Sequence, residues 1–257
     1  MVESTNDVVR GWLAAGAPEV CLAVADEQSA GRGRLDRTWI APPGAALLLS
    51  LGFRPSWLVP EQVWRLAATI SLAMADAAEE VAGLPDRAIR LKWPNDLVAE
   101  VDGRVLKLAG VLGETDGLGG PDPQAVVGIG INAEWPADRF PRELVATMTS
   151  LREVSHGRPI DLALLLDGFL SRLEVRIESL HGGRFDVADW TERQLTTGRL
   201  VDLELPDGRR EQRLALGVDA RGGALVVEDP NEASGERAVH AAEIVHVRLA
   251  PGERVGV

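Results

Sequence analysis

The chain has 257 residues, 46% of them hydrophobic and 26% charged, with a formal net charge of -12. That acidity argues against general nucleic-acid binding, which needs a basic face. No apolar run reaches the roughly 18 residues of a membrane helix, and one cysteine, Cys21, excludes an internal disulfide and a multi-cysteine zinc site.

The N-terminal "MVESTNDVVR" has neither the basic segment nor the apolar segment of a signal peptide. A cytoplasmic protein is therefore expected. A short helix is expected over 8–15, with Ser4, Thr5 or Asn6 as its cap. "VCLAVAD" (20–26) reads as a buried strand in which Cys21 is a small core residue. The loop "QSAGRGRLDRTW" (28–39) follows, and then a second apolar strand over 45–53, introduced by Pro42-Pro43-Gly44. Helical periodicity spans 61–82, and "AIRLKW" (88–93) is a strand stopped by Pro94. Two more strands are expected over 105–115 and 125–133, and helices over 160–180 and 186–194. Beyond Gln194 come five short strand-like runs separated by turns such as Pro206-Asp207-Gly208, the pattern of a small barrel. The boundary is set at 195, giving domains 1–195 and 196–257. Strands mixed with helices, without regular βαβ alternation, make the larger part α+β.

Four stretches carry chemistry. In the loop, Gly31 and Gly33 let backbone approach a ligand, while Arg32, Arg34 and Arg37 offer planar donors for carboxylate or phosphate. It matches neither the dinucleotide fingerprint nor the Walker loop. By itself it is equally a solvated basic loop or an RNA-binding Arg-Gly segment. "KWPNDL" (92–97) is natural turn chemistry at a strand end, with Asp96 available to a ligand. In "KLAGVLGE" (107–114), alternation puts Lys107 on the face opposite Gly110 and Leu112. Gly110 marks a close approach by backbone or ligand, and Lys107 could equally be an edge-strand gatekeeper. "VVGIGIN" (126–132) brings small glycines to a sheet and ends in Asn132. The chain holds only two lysines, Lys92 and Lys107, and both fall inside these motifs. No set of metal ligands is read: His156 and His181 read as surface residues, and His240 and His246 lack a third ligand.

In this order the four motifs, with "ESTND" before them and "GVDARGGALVVED" after, resemble the biotin–protein ligases (biotin–acetyl-CoA-carboxylase ligases) over essentially the whole chain. The resemblance implies an α+β catalytic fold, a mixed sheet with helices like that of the class II aminoacyl-tRNA synthetases, followed by an SH3-like barrel. It implies activation of biotin by ATP to biotinyl-5'-AMP, assisted by Mg²⁺, and transfer to a lysine of a biotin carboxyl carrier protein. It assigns biotin binding to Ser4, Thr5, Asn6, Gln28, Gly31, Arg32, Gly33, Arg34, Lys107 and Gly110. ATP and adenylate fall to Arg34, Arg37, Trp39, Lys107 and Asn132. Lys107, Arg34, Arg37 and Asp96 are the catalytic set, with Lys107 between the biotin carboxyl and the α-phosphate and Asp96 serving the acceptor lysine or metal.

The chain departs from the family pattern in three ways. Asp36 replaces a loop glycine, the strand that precedes the Ser-Thr-Asn segment in the family is expected to be absent or replaced, and no helix-turn-helix domain is read, so a repressor role is not expected. No methionine adjoins either lysine, so the chain does not read as a biotin acceptor. Monomer and homodimer are both open. A lipoate ligase on the same fold, an RNA-binding module and a non-catalytic biotin binder are the competing readings.

Overall fold

The computed structural model describes residues 1–35, 37–240 and 243–247. Asp36, and with it the effect of an acidic residue at that loop position, lies outside the described residues, as do the ends of the last expected strand and the side chain of His246.

In chain order the elements are α1 (Thr5–Ala14), β1 (Cys21–Ala25), β2 (Ala46–Phe53), α2 (Trp64–Ala82), β3 (Ile89–Lys92), β4 (Asp96–Val101), β5 (Arg104–Asp116) and β6 (Gln124–Asn132). Then come α3 (Leu151–Val154), α4 (Leu162–His181), α5 (Val187–Glu192), β7 (Leu200–Glu204), β8 (Arg210–Val218), β9 (Leu225–Glu228), β10 (Glu236–Val239) and β11 (Glu243–Val247). The architecture is α+β. β1–β6 form one sheet in the order β1-β2-β6-β5-β4-β3, and β7–β11 a smaller one in the order β10-β9-β8-β7-β11. Adjacent strands of the large sheet run antiparallel. Parallel contact is confined to isolated bridges such as Lys107 with Met148 and Leu91 with Gln194.

Two elements were not expected from the sequence. β4 follows directly on the KWPND turn and begins at Asp96, a residue of the turn motif itself. α3 is a single turn capped by the Ser150 hydroxyl, which accepts from the Glu153 N–H. Ser4 does occupy the N-cap position of α1, but its side chain makes no capping bond.

The two faces of the large sheet differ. On one, Leu47, Leu49 and Leu51 of β2 and Val127, Ile129 and Ile131 of β6 pack against α2 and α4. On the other, α1 covers only the β1–β2–β6 corner, where Val9 and Leu13 pack with Ala23 and Val126, and with Cys21 against them. Burial pushes the Cys21 thiol up, which suits a packing residue. The uncovered remainder of that face is a cavity.

The helical side is tied together by Arg193, whose side chain is 2% exposed. It binds Glu79 (2.8 Å) and Asp76 (2.6 Å) of α2 and Asp189 (3.2 Å) of α5, and donates to the Ile89 carbonyl (2.9 Å). Burial opposes its charge, but the carboxylates of Glu79 and Asp76 outweigh burial and hold it protonated. The adjoining backbone seals the β3 edge: Leu91 N–H donates to Arg193 O and Leu195 N–H to Leu91 O, each at 2.8 Å.

The small sheet is joined to the large one by a peg. Trp93, from the KWPND turn, is buried among Val201, Leu203, Ala215 and Val227 of the small sheet. Its indole N–H donates to Gly223 O at 2.9 Å. The motif that carries Asp96 therefore also fixes the small sheet against the cavity.

Candidate active site

β6 supplies the floor. Strand alternation sends Val127, Ile129 and Ile131 to the helices, so Gly128, Gly130 and Asn132 face the cavity. Gly110 of β5 pairs directly with Gly130, so a bare pair spans two strands, and Asp96 of β4 stands next to it in the same row. The cavity above it has a volume of ≈ 910 Å³.

Side chains laid on the glycines explain why they must be glycines. A Cβ on Gly130 would stand 2.6 Å from the Trp39 ring, and one on Gly128 would strike the Asn6 amide oxygen. A Cβ on Gly110 would be 3.1 Å from Trp39 and 3.2 Å from Lys107 Nζ. This last contact corrects the simple alternation read from the sequence, which put Lys107 and Gly110 on opposite faces. Val98 pairs with Lys107 but Leu97 with Ala109, so Leu108 is an extra residue in β5. That β-bulge shifts the phase by one and returns Gly110 to the face of Lys107.

Three stations follow one another along β6, about 7 Å apart for two residues of strand. At Gly128 lies a neutral polar cluster. Ser4, Thr5 and Asn6 are buried in and beside the first turn of α1. Gln28 Oε1 accepts from the Thr5 N–H (2.7 Å) and lies 3.0 Å from its hydroxyl. Ser50 on β2 stands between Thr5 Oγ1 (2.7 Å) and Asn6 Oδ1 (2.6 Å). Ser50 has one proton and Asn6 Oδ1 can only accept, so Ser50 donates to Asn6 and receives from Thr5. Ser50 was not singled out from the sequence. Its signal was there, as the one polar side chain inside "ALLLSLGF".

At Gly130 lies the cationic junction. Lys107 Nζ is 2.7 Å from Asp96 Oδ1 and 5.6 Å from the centre of the Trp39 ring. Trp39 Nε1 is buried without a protein acceptor. At the third station Asn132 is buried, lines the cavity and donates its amide to Thr149 O at 2.9 Å.

The Arg-Gly loop closes over the junction as a tight reversal. Arg32 bridges Thr38, Gly33 N–H donates to Arg37 O (2.7 Å) and Trp39 N–H to Gly31 O (2.9 Å). Gly31 is the glycine that space demands, because a Cβ there would meet Trp39 O at 2.5 Å. At Gly33 a Cβ would make only ordinary contacts. Arg34 and Arg37 line the cavity and are engaged with neighbouring groups.

Arg32 also lines the cavity, and its guanidinium is held by acids. It forms a two-pronged bond to Asp7 of α1 (2.6 and 2.8 Å) and lies 3.5 Å from Glu114 of β5. Arg10 pairs with the same two acids, and Glu114 also accepts from Asn6 Nδ2 at 2.6 Å. Arg32 holds the Asp7 carboxyl below the usual carboxylate range, and Asp7 in turn raises the Arg32 guanidinium. Asp7 and Glu114 sit in motifs quoted from the sequence, but their pairing joins residues 25 apart and more. Among the described residues no group of three or more His, Cys, Asp or Glu is arranged to hold a metal ion, and no helix is long and apolar enough to cross a membrane.

Residues 1–132 match the model of the biotin/lipoate A/B protein ligase family. The chain is 32% identical over 249 residues to the biotin–[acetyl-CoA-carboxylase] ligase of Mycobacterium tuberculosis, covering 95% of this chain and 86% of that protein. It is 30% identical over 241 residues to the enzyme of the same name from Paracoccus denitrificans, covering 90% and 92%. In three dimensions it is similar to the biotin protein ligase from Aquifex aeolicus solved with biotin and ATP, with TM-score 0.76, 25% identity and coverage of 97% and 96%.

Proposed function

The chain belongs to the biotin/lipoate A/B protein ligase family, and from that premise we propose that it is an ATP-dependent biotin–protein ligase acting on a biotin carboxyl carrier protein. Residues 1–195 would form the catalytic part and 196–257 the appended barrel. The observation that carries the reading is the order along β6: a neutral hydrogen-bonding station at Gly128, a lysine at Gly130 and an amide at Asn132. That order suits a ligand with an uncharged polar head and a carboxylate tail, joined end to end with a nucleotide.

In this reading Thr5, Asn6 and Gln28, held by Ser50 and Glu114, receive the ureido ring, with Ser4 and Gly31 shaping the backbone around it. Lys107 stands where the biotin carboxylate meets the α-phosphate. Its ammonium offsets the repulsion between the two anions and gathers charge as the carboxylate oxygen attacks phosphorus and pyrophosphate leaves. Arg34 and Arg37 face the phosphates. Trp39 covers the adenylate, and its buried indole N–H finds an acceptor there. Asn132 offers its carbonyl to the nucleotide.

In the second step the amine of the acceptor lysine attacks the acyl carbon, AMP departs and a proton leaves the nitrogen. Asp96, beside Lys107, is the group placed to take it. Asp96→Asn is expected to slow transfer more than adenylation; equal losses in the two half-reactions would remove that role. Magnesium fits as a companion of the triphosphate. Asp96, the described carboxylate at the junction, is paired with Lys107, so the ion would be held chiefly by phosphate oxygens.

The deciding experiment measures pyrophosphate release from ATP with biotin or with lipoate. Release dependent on biotin is expected. Folded protein that releases none under saturating biotin and ATP, or prefers lipoate, would overturn the assignment.

A further inference from the structure

A second cavity lies on the helical side, with a volume of ≈ 440 Å³ and no lining residue in common with the glycine-floored one. Its origin is in the sequence. α4 lends it Ser171, Val175 and Ser179, small residues four apart and so on one stripe of the helix, and α2 lends Thr69 and Leu72, three apart. Short side chains on the facing stripes leave a gap that leucines would close. Glu80 meets Arg172 and Asp76 meets Arg176, so a step forward along α4 is a step back along α2. Thr69 therefore falls opposite the end of α4, where Ser179 and Arg184 stand, the Arg184 N–H donating to Ser179 O at 2.9 Å.

This end of the cavity is polar and unsatisfied. Thr69 is 3% exposed, yet its hydroxyl has no hydrogen-bond partner among the described residues, and neither has that of Ser179. The hydroxyls of Ser71 and Ser171 instead donate back to Ala67 O (2.8 Å) and Asp167 O (2.9 Å), the usual arrangement inside a helix. The arginines divide in the same way. Arg172 pairs with Glu80, and Arg176 with Asp76 (2.7 Å) and Asp189 (2.8 Å), while Arg184 has no carboxylate partner among the described residues. Asp186, the acid in the lining, accepts from Asp189 N–H at 3.1 Å as the cap of α5 and faces Arg176 at 3.8 Å. The rest of the lining is apolar: Leu72, Val175 and Phe185. Phe185 is set edge-to-face with Trp64 (ring centres 5.4 Å apart), and the Arg65 guanidinium lies 5.4 Å from its centre.

We propose that this cavity is a binding site for a small monocarboxylate with an aliphatic tail. The carboxylate accepts from the planar fork of Arg184 and from the Thr69 and Ser179 hydroxyls, which gain the partner they lack. The tail lies on Leu72, Val175 and Phe185, out of water. The site does not depend on the ligase reading. It does touch the scaffold, because Arg176 in its wall shares Asp76 and Asp189 with Arg193. A ligand that binds only the folded chain raises its unfolding temperature as the ligand concentration rises.

Calorimetric titration of the full chain with hexanoate tests the site, with hexanol and acetate as controls. One saturable site is expected for hexanoate, not displaced by excess biotin. Hexanol keeps the tail and loses the charge, acetate the reverse, and each should bind about tenfold more weakly or worse. Arg184→Gln is expected to weaken hexanoate about tenfold, and the near-isosteric Thr69→Val about threefold. Val175→Phe fills the gap from a position 64% exposed, and should abolish hexanoate binding while the unfolding temperature of the ligand-free chain stays the same. Absence of saturable binding overturns the proposal. So does hexanoate that biotin displaces, since that ligand belongs to the larger cavity. Equal affinity for hexanol and hexanoate, or undiminished affinity in R184Q, removes the carboxylate site. Hexanoate binding retained in V175F puts the ligand elsewhere and overturns it as well.

Discussion

The two faces of the large sheet are made by the same strands yet obey different rules. On β6, Val127, Ile129 and Ile131 sit in a closed apolar layer under α2 and α4, while Gly128, Gly130 and Asn132, one residue out of phase, floor an open cavity. The helical face gains its stability from burial and from a buried cation matched by several acids. The cavity face keeps side chains off the sheet, so that Asn6, Trp39 and Lys107 can be laid on it from elsewhere. A strand with period two can serve both ends because a change on one face need not touch the other. Substitutions under the helices should therefore alter stability, and those over the floor should alter kinetics.

The largest expected effect is on the helical face. Arg193→Ala strips the buried Glu79 of its cation, while Asp76 keeps Arg176 at 2.7 Å, at a cost of about 3–5 kcal/mol. Denaturant unfolding monitored by tryptophan fluorescence measures it, with biotin and ATP KM values unchanged wherever the protein remains folded. On the cavity face, Lys107→Ala should reduce adenylation by about 10²–10³-fold, the scale for removing one aimed charge from a developing anion. The half-exposed Lys107 side chain predicts an unfolding midpoint close to that of the parent.

Gly130→Ala sharpens the contrast within one strand. Its Cβ would enter the Trp39 ring, so the ring must lift, and a loss of about tenfold in kcat/KM is expected for a sub-ångström to ångström misplacement of the cover. The neighbouring Ile131→Ala should instead cost about 2–5 kcal/mol of stability. If Gly130→Ala destabilises as much as Ile131→Ala, the division between the faces is wrong.

The smallest effect belongs to the root of the loop. Asp7→Asn frees one side of Arg32, and the pair is partly exposed, so stability should fall by no more than about 1 kcal/mol. The KM for biotin should still rise a few-fold, because the loop loses its anchor to α1. The depressed Asp7 carboxyl fixes the sign with pH. The stabilisation is complete above the ordinary aspartate range and is lost as pH falls through the lower folded-state value. Titrating loop order by Trp39 fluorescence should therefore show no clamp-dependent change near neutrality.

Motif chemistry made much of the site legible in advance. Thr5, Asn6, Gln28, Trp39, Lys107, Gly110 and Asn132 do come together around one cavity. What escaped was pairing. Arg32 reads in sequence as one more donor in an arginine-rich loop, and only the fold shows it spent on Asp7 and Glu114. Ser50 reads as a stray hydroxyl in a leucine strand until α1 lays Thr5 and Asn6 against it. Trp93 reads as the last residue of a strand, and only the fold makes it the peg of the small sheet. The strand over Asp96–Val101 was hidden because its first residue, Asp96, is also the end of the turn motif.

By itself the sequence determined the period-two patterning of the strands, the glycines where backbone must be approached, the two long helices, read at 61–82 and 160–180, and the identity of the rare lysines. These are local properties, set by the steric limits of each residue and by the face on which it falls. Only the tertiary structure decided which face Lys107 and Gly110 share, because the phase of β5 is reset by one unpaired residue, Leu108, and that residue is extra only relative to the pairing of β4. It also decided that Arg32 is held by Asp7 and Glu114. Ion pairs and hydrogen bonds between segments 23 to 108 residues apart follow from how the sheet and α1 pack, and no local pattern encodes them.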